Sequence, residues 1–139
     1  MIKGFSPFPY RCMKNVIDYI KKNKKHQTKL FNNYPKWRYL VSLVEDKVVL
    51  ERLIRSAALW FSENDKSGLA WLHITDLFVF EGELYIVTSR PGLIIGREGK
   101  SIDSLSKQVG VHINLIEACE KDCPSVALKN EVAASLYYI

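Results

Sequence analysis

Between Tyr85 and Leu105 the chain runs from an apolar strand-like stretch through a short apolar turn and Gly96–Arg97–Glu98–Gly99 into a helical pattern. That order constrains the fold more than any other feature. Glycine admits positive φ and lets another backbone approach closely, so the two glycines predict a tight turn between two helices. The second helix then points its free N–H groups and the positive end of its dipole at the loop. Such a helix start is suited to an anion. Arg97 and Lys100 add positive charge, and the Ser101 hydroxyl can donate or cap. A sugar–phosphate backbone matches this chemistry, and Ile94, Ile95 and Ile102 offer an apolar floor for bases.

The flanking residues extend the pattern in both directions. From Lys36 to Asn64 there is neither Gly nor Pro. Leu50, Leu53, Ile54, Ala57 and Phe61 form one helical stripe, and Trp37, Val41, Val44 and Val48 form another in a different phase. Two helices or one bent helix are predicted. Leu69–Phe80 is rich in β-branched and aromatic residues and reads as a strand. Glu81–Gly82–Glu83 is a turn, and Leu84–Ser89 returns as the second strand of a hairpin. Pro91 suits the first position of the short helix Leu93–Ile95. Lys100–Val109 is a helix with Ile102, Leu105 and Val109 inward, closed by Gly110. Val111–Ala118 is a third strand with Val111, Ile113 and Leu115 on one face, and Pro124 opens a last helix with Leu128, Val132 and Leu136 spaced by four. Three strands with helices on one face make a two-layer α+β domain.

The stretch Arg90–Pro91–Gly92–Leu93–Ile94–Ile95–Gly96–Arg97–Glu98–Gly99–Lys100–Ser101–Ile102 closely resembles the signature of type II KH domains. Within that class it resembles the N-terminal KH half of bacterial-type small-subunit ribosomal protein three. The likeness continues through Ile113–Asn114–Leu115–Ile116–Glu117 and the Pro124-led helix, and more weakly backward through the hairpin to Asp46–Ala58. KH domains clamp the backbone of about four nucleotides in a Gly-x-x-Gly loop. The resemblance therefore implies RNA binding, single-stranded or ribosomal, with Gly96, Arg97, Glu98 and Gly99 as the clamp. Arg90, Lys100 and Ser101 would lie beside it, and Ile94, Ile95, Ile102 and Val111–Leu115 would line the base groove. The partners implied are RNA and the small ribosomal subunit or another ribonucleoprotein. Three features depart from that family. Glu98 stands where a basic residue would bind phosphate better, the sequence stops at Ile139 without the family's second domain, and residues 1–40 do not resemble the family's N-terminus.

Charge divides the chain. Residues 1–39 hold ten Lys or Arg and one acid, a net +9, whereas the other hundred hold ten basic and fourteen acidic groups, a net −4. A local basic cluster is an electrostatic footprint for a phosphate polymer or an acidic surface. Phe5, Phe8, Tyr10, Phe31, Tyr34, Trp37 and Tyr39 interleave with it, as in surfaces where rings stack on bases and cations meet phosphates. Lys21, Lys22, Lys24 and Lys25 are the candidate extra phosphate contacts; the bland reading is a solvated arm whose rings pack onto the body. Residues 1–10 with their prolines predict an extended arm, and Met13, Val16, Ile17 and Ile20 predict a short helix. The domain division expected is an extension over 1–39 and the KH domain over 40–139.

Other chemistries find less support. Gly99–Lys100–Ser101 could end a P-loop, but the first glycine of G-x-x-x-x-G-K-[ST] would fall at Ile94. The chain also leaves too little room for the parallel sheet of a nucleotide-binding βαβ fold. Cys12, Cys119 and Cys123 are an odd count, and Cys119, Cys123 and His112 make a poor zinc site. No cofactor, metal or catalytic constellation is expected. With neither a secretory leader nor a membrane-length apolar run, a cytoplasmic, non-enzymatic protein is expected. The alternative to RNA binding is a KH-fold module that docks protein, for which Glu98 in the loop is the main sign.

Overall fold

The computed structural model describes residues 41–43, 45–117 and 127–137. The expected N-terminal arm and helix, the four lysines between 21 and 25, all three cysteines and Pro124 lie outside the described residues.

Helix α1 spans Lys47–Asn64. Asp46 starts it: the carboxylate accepts from the N–H groups of Val48 at 3.0 Å and Val49 at 3.2 Å. The predicted stripe is its buried face, with Ala58 and Trp60 added. Of the second predicted stripe, Trp37 and Val44 lie outside the described residues; Val41 is fully buried, while Val48 is 78% exposed in the first turn of α1.

The first third of the stretch read as one strand is instead helix α2, Leu69–Leu72, and strand β1 begins only at Ile74 and runs to Phe80. Local capping overrides β propensity here. The Asp65 carboxylate accepts from Trp71 N at 2.9 Å and Ala70 N at 3.4 Å, and the Ser67 hydroxyl accepts from Leu69 N at 3.2 Å. Gly68 at φ 72° turns the chain into this helical turn.

Strand β2, Glu83–Thr88, pairs antiparallel with β1, so Phe80 faces Glu83 across a two-residue turn. Both turn residues have positive φ, Glu81 at 51° and Gly82 at 77°, the geometry that matches the twist of a hairpin. The outer edge of β1 is closed by carboxylates: Asp76 accepts from Leu77 N at 2.8 Å and Glu45 from Val79 N at 2.7 Å. Blocking edge amides this way removes a template for unwanted strand pairing.

After β2 come helix α3 (Gly92–Ile95), a single 3₁₀ turn (Arg97–Gly99), helix α4 (Lys100–Val109), strand β3 (Ile113–Glu117) and helix α5 (Ala127–Tyr137). The sheet order is β1-β2-β3, with β2 and β3 parallel. A parallel pair does fit, contrary to the expectation from chain length. The crossover is two short helices folded back at the glycine loop, so no long helix is needed.

The main core lies between one sheet face and the helices. Leu77, Val79, Leu84, Ile86, Ile113 and Leu115 from the sheet meet Leu53, Ile54, Ala57, Leu105 and Val132 from the helices. Phe78, Tyr85, Val87 and Ile116, which alternate with those strand residues, are buried as well. Phe78 and Tyr85 stack with ring centroids 4.9 Å apart. Burial, then the charges of Glu83 and Glu81, raises the Tyr85 hydroxyl above its ordinary pKa. On the same face Asn114 donates to Glu83 at 2.7 Å, and its own Oδ1 is buried without a partner among the described residues.

Candidate nucleic-acid interface

The entry to the loop is held at three points. The buried Thr88 hydroxyl accepts from Arg90 N at 3.1 Å. Ser89 N donates to the His73 carbonyl at 3.2 Å, and the Ser89 hydroxyl is hydrogen-bonded to His73 Nδ1 at 3.0 Å. Sequence reasoning missed this His73–Ser89 pair because its members are sixteen positions apart and share no motif. Pro91, at φ −62°, sits one place before its expected position, as the residue that caps α3. Its carbonyl accepts from Ile94 N at 2.9 Å and Ile95 N at 3.0 Å.

Gly96 then has φ 72° and ψ −176°, a backbone that favours glycine. Space demands glycine as well: a Cβ on Gly96 would lie 2.2 Å from Ser101 Oγ and 2.6 Å from Ser101 Cβ. Ser101, read from the sequence as a donor or cap, therefore presses against the loop's first glycine. Glu98 takes the left-handed conformation at φ 57°, ψ 25°, and Gly99 follows at φ 75°, ψ 10°. Lys100 N donates to the Arg97 carbonyl, closing the turn. Gly99 is the cap position of α4, and no side chain among the described residues caps that helix. Its first-turn N–H groups thus receive no side-chain acceptor at the loop.

Arg97, Glu98 and Lys100 at this turn are exposed, as is Arg90 before α3, and Gly96, Gly99 and Ser101 are half-buried. No ion pair joins Glu98 to Arg97 or Lys100 among the described residues. Ile95 and Ile102 are half-buried and pack against the core. Ile94 is fully buried within it, so it supports the loop from beneath and has no surface to offer a base. In β3, Ile113 to Leu115 are buried too, whereas Val111 is half-buried and His112 exposed.

One buried cation lies away from the loop. Lys129 on α5 is 3% exposed; its ammonium donates to the Trp71 and Ile74 carbonyls and lies 4.8 Å from the Trp71 ring centre. Burial lowers its pKa to about 8. It ties α5 to the turn between α2 and β1, and nothing in the sequence singles it out from the exposed lysines. The described residues hold no group of three His, Cys, Asp or Glu that could bind a metal. None of their helices is long and apolar enough to cross a membrane.

A mixed three-stranded sheet whose parallel pair is joined through helix, Gly-x-x-Gly and helix is the architecture of a type II KH domain. Residues 72–133 match the family model of the KH domain, and the fold is that of a type II KH domain. The chain is also similar to the small ribosomal subunit protein uS3c of Cyanidium caldarium. The two are 34% identical over 98 aligned residues, which take in 65% of this chain and 44% of that one. The chain thus spans less than half the length of this relative. No solved structure matches.

Proposed function

We propose that the chain binds RNA, single-stranded or ribosomal, by clamping its backbone at Gly96–Gly99, and that it does so as a binding protein and not an enzyme. The observation that carries this reading is the start of α4. Its N-terminus has no side-chain cap among the described residues and opens under two positive-φ glycines, with Arg97 and Lys100 exposed beside it in the chain and Arg90 exposed before α3. Backbone N–H groups, helix dipole and three cations make an anion site that fits a phosphate. Ser101 shapes the clamp through its contact with Gly96. Ile95 and Ile102 keep enough exposure to meet a base, while Ile94 supports them from the core.

The similarity to a ribosomal protein supports the small ribosomal subunit, or another ribonucleoprotein, as partner. In this reading residues 40–139 are the KH domain. Residues 1–39 are an extension whose Lys21, Lys22, Lys24 and Lys25 add phosphate contacts. The second reading is a KH-fold module that docks protein, favoured by one observation, the exposed carboxylate of Glu98 inside the loop.

Fluorescence anisotropy with single-stranded RNA tests the assignment. The wild type is compared with the double variant Arg97→Asp, Glu98→Asp, which keeps both glycines, and circular dichroism checks its fold. A folded variant that has lost binding supports the clamp. Equal binding by both proteins moves the site away from the loop, and no binding by either favours protein docking.

A further inference from the structure

Glu98 is the anomaly of the loop. It is one of only two non-glycine residues with positive φ among the described residues, the other being Glu81 in the hairpin turn. A non-glycine residue held there carries strain of order 1 kcal/mol or more. The carboxylate gives no visible structural return for that strain. It caps no N–H of α4, it pairs with neither Arg97 nor Lys100, and it is exposed. It also stands among groups otherwise arranged to attract anions, where it repels any phosphate that enters.

A carboxylate only accepts hydrogen bonds. In a nucleic-acid backbone the phosphate and ring oxygens are acceptors as well. The single donor is the ribose 2′-hydroxyl, which DNA lacks. Repulsion from phosphate weakens RNA and DNA alike, and among backbone groups only the 2′-hydroxyl of RNA can offset it. We propose that Glu98 makes the clamp selective for RNA over DNA by accepting a hydrogen bond from a ribose 2′-hydroxyl. This rests on the clamp reading above and assigns the acidic residue within it a part.

The test uses the full chain, without divalent cations, and three oligonucleotides of one sequence: RNA, DNA and 2′-O-methyl RNA, which keeps the ribose but has lost the donor. The wild type prefers RNA over both others by about tenfold, the worth of a hydrogen bond to a charged group. Glu98→Ala and Glu98→Asn (a residue at ease in the left-handed region) bring the preference close to one, and DNA binding strengthens as the repulsion goes. Glu81→Ala, the same charge change at the other strained acid, leaves the preference intact. An unchanged preference in both Glu98 variants overturns the inference, as does a wild type that prefers 2′-O-methyl RNA to DNA as strongly as it prefers RNA. So does a preference that appears only with Mg²⁺. A wild type that binds none of the three overturns the clamp itself, a result separable from the others.

Discussion

Two glycines of the loop look equivalent in the sequence and differ in the structure. Gly99 needs glycine only for its backbone, because nothing lies within 4 Å of an added Cβ; at Gly96 the added atom meets Ser101. Gly99→Ala is expected to destabilise the domain by about 1–2 kcal/mol, the strain of a left-handed alanine. Gly96→Ala is expected to destabilise it by more, since steric overlap adds to that strain. Urea unfolding of the two variants side by side measures the difference. Lys129 gives a second prediction at this scale. Its pKa is lowered by burial from the usual 10.5 to about 8. Between those values the unfolded chain keeps a proton that the folded chain has released, so stability rises with pH. Tyr85, shifted upward, opposes this only above its ordinary value of 10.0. Unfolding free energy measured from pH 8 to 10 should therefore climb in the wild type and climb less in Lys129→Met. The pattern of residues 127–137 placed Leu128 and Val132 on an inward face, but an amphipathic pattern cannot show that a lysine between them finds two carbonyls and a ring.

At the scale of elements, most of the described residues were readable because each element carries its own local cause. The α1 stripe, the Gly82 turn, the Lys100–Val109 helix and its closing Gly110 all rest on contacts within a few residues. The misreading at Leu69–Leu72 has the same origin. β-branched and aromatic content pointed to a strand, while the Asp65 and Ser67 side chains supplied acceptors that favour a helical turn. Asp65→Ala should thus cost about 1 kcal/mol, as for loss of a helix cap. It should also raise amide exchange at Ala70 and Trp71 more than in β1, which hydrogen-exchange mass spectrometry resolves. The parallel pairing of β2 and β3 was not readable, because strand direction depends on how the crossover folds back.

At the scale of the molecule, the charge is split: +9 in residues 1–39 against −4 in the rest. Under the proposed function the loop supplies shape, and the basic segment adds affinity that salt weakens. Each phosphate contact on single-stranded nucleic acid contributes about 0.7 to the slope of log affinity against log salt. Replacing Lys21, Lys22, Lys24 and Lys25 by Gln in the full chain is expected to lower that slope by about 3 if all four meet phosphates. Loop changes alone should alter affinity with a smaller change in slope. A slope unaffected by the four substitutions removes the segment from the interface.

The sequence by itself determined the loop, its two helices, the hairpin and the class of fold, because glycine conformation, helix capping and apolar periodicity act over short distances. Tertiary structure alone decided which loop-side residues remain exposed. Ile94, Ile95 and Ile102 look alike in the sequence, yet the first is fully buried and the other two are half-exposed. It also decided that Ser101 serves Gly96, that Glu98 stays unpaired among the described residues in a strained turn, and that Lys129 is buried. Each of those outcomes depends on how close separate elements come once the core has packed, and packing distance is not written in any local pattern.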